Sequence, residues 1–278
     1  MKAHLAVVGS LNMDLVVRTP HIPHPGETVI GGDFLTLPGG KGANQAVAAA
    51  RLGAAVTMVG RVGRDAFGDE LLKNLEAVGV DHTFTWFWAA ITTGVAFIVV
   101  EDSGQNSIVV ASGANAHLSP ADVEAAEEVI ASADVLLLQL ESPIETVTRA
   151  AELAVKHDVT VILNPAPAQP LPNNLLRMVD ILTPNESETA LLTNQPVTTV
   201  EEARKAADAL LHQGIRTVIL TLGARGALLA SAEETKRFHP FAVTPVDSTA
   251  AGDAFMGGLA VALSERLTLD EDVRQGNA

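Results

Sequence analysis

Short runs of consecutive apolar residues alternate along the chain with longer stretches that have helical spacing. Runs that are apolar at nearly every position are typical of strands in a parallel sheet that helices cover on both faces. The pattern predicts strands over residues 5–9, 56–60, 135–140, 159–163, 181–183 and 217–222, and helices over 42–52 and 67–78. We therefore expect a doubly wound α/β fold with a mostly parallel sheet, in which ligands bind beyond the carboxyl ends of the strands.

Signals at helix ends agree with this alternation. Ser119 precedes a proline and, two residues further on, an aspartate, which predicts a capped helix start there. Ser142 and Thr198 are each followed three residues later by a glutamate, and we expect capping boxes at both. Gly79 and Gly214 stand where two helices are expected to end.

Two segments interrupt the alternation, residues 15–38 and 92–112. The first is rich in proline and glycine, and the second contains two β-type runs joined by a turn. We expect both to form a small antiparallel β flap that projects from the main sheet. No linker divides the rest of the chain, so we expect a single α/β domain over residues 1–278.

The composition of the chain argues against several classes of function. The chain has 33 acidic and 18 basic residues and a net charge of −15, which argues against nucleic acid or an anionic membrane surface as the main partner. Cysteine is absent, which excludes disulfides, cysteine-bound zinc and thiol nucleophiles. The sequence has neither a signal-peptide pattern nor an apolar run long enough to span a membrane, so we expect a cytoplasmic protein.

The clearest chemical signal lies in residues 246–255, VDSTAAGDAF. Ala250, Ala251 and Gly252 lead directly into an apolar helix, and the free N–H groups at such a helix start form an anion site. Asp253 stands in the first turn, where it could accept a proton from a hydroxyl group. The pattern suits phosphoryl transfer to an alcohol, and the alternative is a capped helix with an acid in its first turn.

Residues 38–45, PGGKGANQ, precede the helix predicted over 42–52. Glycines around Lys41 let the backbone approach a ligand closely. The segment lacks the first glycine and the hydroxyl residue of a Walker phosphate loop, and the last glycine of the dinucleotide fingerprint. A different ligand loop and an ordinary strand-to-helix turn both remain open.

Polar residues also follow two other predicted strands. Asn12 and Asp14 are two residues apart, so alternation puts both side chains on one face, where an amide and a carboxylate could bind vicinal hydroxyls. Glu141 follows the strand over 135–140 at the end where a ligand would bind. A turn-forming asparagine and a helix-capping acid are the alternatives.

Asn185 and Glu188 follow the strand over 181–183 and are three residues apart. On a helix they share a face and could hold a hydrated Mg²⁺ ion. Residues 221–226, TLGARG, follow the strand over 217–222, and they suit either a backbone-lined nucleotide pocket or a glycine-rich turn.

In order, the segments GSLNMD, PGET, GGKGANQAVAAARLG, QLESP, NPAPA, TPNESE, TLGARG and DSTAAGDAF resemble the ribokinase, or PfkB-like, family of carbohydrate kinases. The resemblance runs from Gly9 to Ala278. It implies ATP-dependent phosphorylation of D-ribose to D-ribose 5-phosphate, with Mg²⁺ and with K⁺ as an activator.

The resemblance also implies a role for individual residues. Asp253 would be the general base, and the anion hole would come from Ala250, Ala251 and Gly252. Ribose would contact Asn12, Asp14, Gly40, Lys41, Asn44, Glu141 and Asp253. The ATP site would include Asn185, Thr221, Gly223 and Gly226. Asn185 and Glu188 would organise Mg²⁺ through water, and Asp247 and Thr249 would belong to a K⁺ site.

In similar proteins the segments expected to form the flap act as a lid that closes over the sugar and forms a homodimer contact. The family continues past Ala278, so we expect a truncated C-terminal end with less complete adenine and K⁺ sites. The alternatives are a related kinase for deoxyribose or a nucleoside, and a non-catalytic sugar-binding protein if the missing end abolishes ATP binding.

Overall fold

The computed structural model describes residues 2–241, 250–265 and 269–276. The strands are β1 (His4–Val8), β2 (Asn12–Thr19), β3 (Phe34–Gly39), β4 (Ala55–Gly63), β5 (Asp81–Trp88), β6 (Gly94–Glu101), β7 (Asn106–Ala111), β8 (Val135–Leu138), β9 (Thr160–Leu163), β10 (Ile181–Leu182), β11 (Thr217–Thr221), β12 (Ala227–Ser231) and β13 (Thr235–Phe238). The helices are α1 (Lys41–Arg51), α2 (Ala66–Ala77), α3 (Pro120–Ala125), α4 (Glu127–Ala131), α5 (Ile144–Lys156), α6 (Asn173–Leu176), α7 (Glu186–Thr193), α8 (Val200–His212), α9 (Ala251–Ser264) and α10 (Leu269–Gly276), with short 3₁₀ helices at Gly113–His117 and Gly223–Arg225.

Within the residues described, the main sheet has nine strands in the order β13-β12-β11-β10-β9-β8-β1-β4-β5. All neighbouring strands from β11 to β5 are parallel, and β12 and β13 add an antiparallel edge. The order of strands reverses at β1, which lies between β4 and β8. A crevice forms at such a reversal, at the carboxyl ends of the strands. The predicted doubly wound, mostly parallel fold is confirmed.

Helices cover both faces of this sheet. In β1, Ala6 and Val8 belong to one apolar cluster, whereas Leu5 and Val7 belong to another, because successive side chains of a strand point to opposite faces. Buried residues of α5 and α8 pack in the first cluster, and those of α1 and α9 pack in the second. The strands are therefore apolar at consecutive positions, as the sequence pattern indicates.

A smaller sheet with the order β3-β2-β6-β7 forms from the segments that interrupt the alternation. The pairs β2–β3 and β6–β7 are antiparallel, but the central pair β2–β6 is parallel, so the expectation of an antiparallel flap is wrong for that pair. The reason is that β2 and β6 follow β1 and β5, which are parallel strands of the main sheet. Both continuations consequently leave the main sheet in the same direction.

Most predicted helix ends are confirmed. Ser119 caps α3 in a capping box with Asp122, whose carboxylate accepts from the Ser119 backbone N–H. Gly79 and Gly214 follow the ends of α2 and α8 with φ of 77° and 100°. Glycine adopts this left-handed conformation without the steric cost that other residues meet.

Two predicted caps are wrong. Helix α5 begins after Pro143, and the hydroxyl of Ser142 has no hydrogen-bond partner in the described part of the chain. The capping box of α8 uses Thr199 with Glu202, one residue later than expected for Thr198. Glu202 accepts from both threonines, so the two positions offer the same local chemistry.

The edge strand β5 and the antiparallel strands β12 and β13 are not among the predicted strands. The aromatic end of β5 packs at the base of the small sheet, where the rings of Trp88 and His117 stack with centroids 5.8 Å apart. The Arg61 guanidinium lies 4.1 Å from the centre of the Trp88 ring and pairs with Asp122. Among the described residues, no helix combines the length and the apolar character that a membrane span needs.

Candidate active site

Two helix N-termini meet in the crevice, those of α1 and α9. Gly40 precedes α1 with φ of 92°, and a Cβ atom there would lie 2.6 Å from the backbone nitrogen of Asn12. Ala250 precedes α9 in a left-handed conformation with φ of 57°. The two helices approach closely because Gly257 has no side chain, and a Cβ atom there would lie 2.7 Å from that of Ala48.

Asp253 is buried in the first turn of α9, with 7% of its surface exposed. Its Oδ1 atom accepts a hydrogen bond of 3.0 Å from Nε2 of Gln45, and Oδ2 accepts one of 3.2 Å from Nδ2 of Asn44. Burial raises the pKa of Asp253 above its usual range, while Lys41 and the two amides act against that rise. A carboxylate whose pKa is raised toward neutral pH suits general base chemistry.

Glu141 joins three elements where the order of strands reverses. Its Oε2 atom accepts from the Ser10 hydroxyl at 2.5 Å, from Nδ2 of Asn12 at 3.3 Å and from the backbone nitrogen of Lys41 at 3.2 Å. Ser10 follows β1, Asn12 begins β2 and Lys41 begins α1. The carboxylate thereby fixes the geometry of the crevice.

Asp14 lies near these groups on β2. Burial raises its pKa to about 6, and the negative charges of Glu141 and Asp253 add to the rise. Lys41 lowers the pKa of Asp14, so its ammonium group faces the same cluster. The sequence-predicted sugar residues are therefore brought together: three carboxyl groups, one ammonium group and the amides of Asn12 and Asn44.

A cavity of about 220 Å³ opens beside Asp253. Its lining comprises Lys41, Asn164, Ala166, Thr183, Asn185, Glu188, Thr221, Ala250, Ala251, Gly252, Asp253, Phe255 and Met256. One cavity is therefore lined by the candidate base, by the start of α9 and by three of the residues predicted to bind nucleotide or Mg²⁺. Within the described ranges, a Cβ atom at Gly252 would meet nothing within 4 Å.

Gly223 and Gly226 lie outside that lining, in the turn between β11 and β12. Their φ values of 53° and 89° are left-handed, and a Cβ atom at Gly226 would overlap the backbone oxygen of Phe238. The turn itself therefore requires these glycines. Asp247 and Thr249, predicted for the K⁺ site, lie outside the described residues.

Asn185 and Glu188 form a capping box instead of lying side by side on one helix face. The Asn185 side chain caps α7 by accepting from the backbone nitrogen of Glu188 at 2.8 Å. The Glu188 carboxylate accepts from the backbone nitrogen of Asn185 at 2.8 Å and from its Nδ2 atom at 2.9 Å. Burial raises the pKa of Glu188. Both side chains still line the cavity.

Several site residues are not found by the sequence argument. Buried Gln45 donates to Asp253, and buried Gln139 donates to Gln45. The Ser10 hydroxyl donates to Glu141, and Nδ2 of Asn115 donates to Oδ1 of Asn12 at 2.8 Å. The available signal is a polar residue inside an apolar run, as at Gln139 in VLLLQL. Their partners lie far away in the chain, so only the fold identifies them.

The chain belongs to the pfkB family carbohydrate kinases, whose sequence pattern matches residues 2–278. It is therefore a sugar kinase of this class. A ribokinase of Haemophilus influenzae is 45% identical over 278 residues, covering all of this chain and 91% of the relative. A deoxyribokinase of Salmonella typhi is 41% identical over 254 residues, covering 91% of this chain and 83% of the relative.

Solved structures share the fold as well. The structure of Arabidopsis thaliana ribokinase complexed with ribose and ATP superposes with a TM-score of 0.90 at 35% identity. The match covers all of this chain and 91% of that one. Both sheets of the protein thus belong to a fold already seen with a sugar and a nucleotide bound.

Proposed function

We propose that this sugar kinase transfers the γ-phosphoryl group of ATP to D-ribose, giving D-ribose 5-phosphate and ADP. The observation that carries the proposal is the position of Asp253, which is buried at the start of α9 beside polar groups suited to a sugar. Ribokinase relatives at 45% identity and the ribose and ATP complex of the Arabidopsis enzyme support it.

In the proposed reaction Asp253 accepts the proton of the primary hydroxyl as the oxygen attacks the γ-phosphorus. The new bond joins the sugar oxygen to that phosphorus, the bond to the β,γ-bridging oxygen breaks, and ADP leaves with the electron pair. Backbone N–H groups of Ala251 and Gly252, presented by the left-handed Ala250, stabilise charge on the transferring group. The first N–H groups of a helix have no intrahelical acceptor, so they are available for this role.

The sugar would lie against the cluster at the reversal of strand order. Asn12, Asp14 and Glu141 accept or donate hydrogen bonds with its secondary hydroxyls, while Lys41 and Asn44 approach from the start of α1. Gly40 lets the backbone approach the ligand because it has no side chain. These residues favour ribose over 2-deoxyribose, since a buried polar group without its hydroxyl partner is penalised.

Asn185, Thr221, Gly223 and Gly226 would line the ATP site, and Asn185 and Glu188 fit a hydrated Mg²⁺ ion. Mg²⁺ keeps several waters and is usually held by one or two carboxylates plus substrate phosphates. Each oxygen of Glu188 accepts one hydrogen bond from Asn185 and has a lone pair left for water.

Bound Mg²⁺ would neutralise charge on the ATP phosphates. We extend the proposal to K⁺ activation through Asp247 and Thr249, which precede the start of α9 in the sequence. In the proposal, the positive charge of such a K⁺ ion would favour the negative charge that develops on the transferring phosphoryl group. Adding K⁺ should then raise turnover more than adding the same concentration of a larger organic cation.

The small sheet would act as the lid and as a homodimer contact. It exposes large apolar side chains, with 62% of Phe34, 50% of Phe97, 52% of Ile108 and 66% of Val109 accessible. Every residue of β7 is exposed. Exposed apolar groups that are gathered on one small sheet are typical of a surface that another chain covers.

The test is a coupled ADP-release assay with ATP, Mg²⁺ and one acceptor at a time, with and without K⁺. We expect ribose to give the highest kcat/KM, with 2-deoxyribose and adenosine as comparison acceptors. The 41% identical deoxyribokinase makes deoxyribose the second candidate substrate. A higher kcat/KM for deoxyribose would reverse the preference, and ribose binding without ADP release would support a non-catalytic sugar-binding protein.

A further inference from the structure

Two buried glutamine side chains lead from Asp253 into the protein interior. Gln45 in α1 and Gln139 after β8 are 0% and 1% exposed. Nε2 of Gln45 donates to Oδ1 of Asp253 at 3.0 Å, and Nε2 of Gln139 donates to Oε1 of Gln45 at 2.7 Å. The carboxylate, the first amide and the second amide therefore form one directed chain of hydrogen bonds.

Gln139 determines which end of the Gln45 amide faces Asp253. Because Oε1 of Gln45 accepts from Gln139, its Nε2 group is the end left to face the carboxylate. A reversed amide would put an oxygen against the Asp253 carboxylate and would leave two donors facing each other at Gln139. The hydrogen bond from Gln139, as the structure has it, thus disfavours the orientation of Gln45 that would repel the ionised base.

The position of Gln139 is itself built into the fold. A Cβ atom at Gly9 would overlap Oε1 of Gln139, so the end of β1 has room for this amide only as glycine. Oε1 of Gln139 is buried and has no hydrogen-bond partner among the residues that the structure describes. Leaving an acceptor unpaired costs about 1–3 kcal/mol, and an apolar side chain of similar size would avoid that cost. An apolar residue could not orient Gln45.

The other groups around Asp253 cannot replace this donor. Glu141, Asp14 and Glu188 are acidic and oppose its ionisation. Lys41 favours ionisation, but Lys41 and Asn44 are the groups that the proposed function assigns to the sugar. Among the residues that the structure describes, Gln45 is then the remaining side-chain donor to the Asp253 carboxylate, and in the proposed function substrate binding does not compete for it.

We propose that Gln45 and Gln139 are positioning residues for the general base, with Gln139 orienting Gln45 and Gln45 holding Asp253 ionised and aimed at the acceptor hydroxyl. The proposal rests on the role of Asp253 in the proposed function. In this proposal neither glutamine contacts the sugar or ATP, and neither lines the cavity beside Asp253. Their effect should therefore appear in kcat and in its pH dependence, and KM should change little.

The experiment measures kcat, both KM values and the pH profile of kcat for Gln45→Met, Gln139→Met and the double variant. Methionine is unbranched and of similar length, and it cannot donate. Removing the donor raises the pKa of Asp253, so the acid limb of the profile should move to higher pH by about one unit, and kcat at a given pH on that limb should be about tenfold lower. Gln213→Met, at an exposed position after α8, is the matched control and should leave the profile unchanged.

Coupling between the two sites distinguishes positioning from general core packing. Because Gln139 acts through Gln45, the double variant should have the kcat of Gln45→Met, whereas independent packing defects would multiply. An acid limb at the wild-type pH in a folded Gln45→Met variant would overturn the proposal. Multiplied losses of kcat in the double variant would overturn it as well.

A second variant keeps the test decisive if a methionine variant fails to fold, as judged by thermal unfolding. Gln139→Glu has the same shape and can donate to Gln45 only while it is protonated. Its turnover should fall as pH rises, relative to the wild type, and an unchanged profile would contradict the proposal. If the wild-type protein itself phosphorylates neither ribose nor deoxyribose, the proposed function fails, which is a result distinct from any outcome with the variants.

Discussion

Ribose binding should weaken steeply below pH 6 because Asp14 loses its charge there. Burial, together with Glu141 and Asp253, raises the pKa of Asp14 to about 6. A sugar hydroxyl donates to the ionised carboxylate, so only the ionised fraction binds in the proposed way. That fraction falls from about ten-elevenths at pH 7 to about one-eleventh at pH 5, so the apparent Kd should rise about tenfold.

The assay is calorimetric titration of the nucleotide-free protein with ribose at several pH values between 5 and 8. Asp14→Asn is the control, since the amide does not titrate in this range. We expect it to bind ribose more weakly at pH 7 and with little pH dependence. A wild-type Kd that stays constant from pH 7 to pH 5 would refute the assignment of Asp14. An equally steep dependence in Asp14→Asn would attribute the titration to another carboxyl group such as Asp253.

Three further changes test other parts of the structure. In Gly94→Ala the new Cβ atom would overlap Oδ1 of Asn12, so KM for ribose should rise about tenfold. Gly32→Ala is the control: the nearest atom to its new Cβ is 3.9 Å away, so KM should stay unchanged. Asp65→Ala removes the N-cap of α2 and should lower the free energy of unfolding by about 1–2 kcal/mol at pH 7. The pKa of Asp65 is lowered in the folded protein, so the difference in the free energy of unfolding between wild type and variant should shrink as pH falls through that pKa. Denaturant titrations that give the same difference at pH 7 and at pH 2 would contradict this. The proposed homodimer contact predicts that the wild type sediments as a dimer and Val109→Lys as a monomer, and equal masses for the two proteins would contradict that contact.

The fold could largely be predicted because its signals are local. Runs of apolar residues predict the strands around β1, and Ser119 with Asp122 predicts the start of α3. Where two neighbouring residues offer the same chemistry the prediction is less sharp, as with Thr198 and Thr199 before α8. Strand β5 does not follow from the pattern, because it is an edge strand that begins with three polar residues and lacks the uniformly apolar run of the predicted strands.

The candidate site is predictable only in part, because its hydrogen bonds join distant segments. Gln45 and Asp253 are 208 residues apart, and Ser10 and Glu141 are 131 apart. Periodicity carries no information on such pairs. Resemblance to a family identifies the residues that are expected to contact ligands. Gln139 contacts only protein in the proposal, so its role is apparent only once β1, β8 and α1 are packed together.

The most direct measurement is single-turnover phosphorylation of ribose by Asp253→Asn. The amide keeps the shape of the carboxylate but cannot accept the hydroxyl proton, so the rate should fall by about 10²–10⁴. ATP should bind with nearly the wild-type Kd, because the N-terminus of α9 and the cavity lining remain in place. Turnover close to the wild-type rate in this variant would contradict the assignment of Asp253 as the general base.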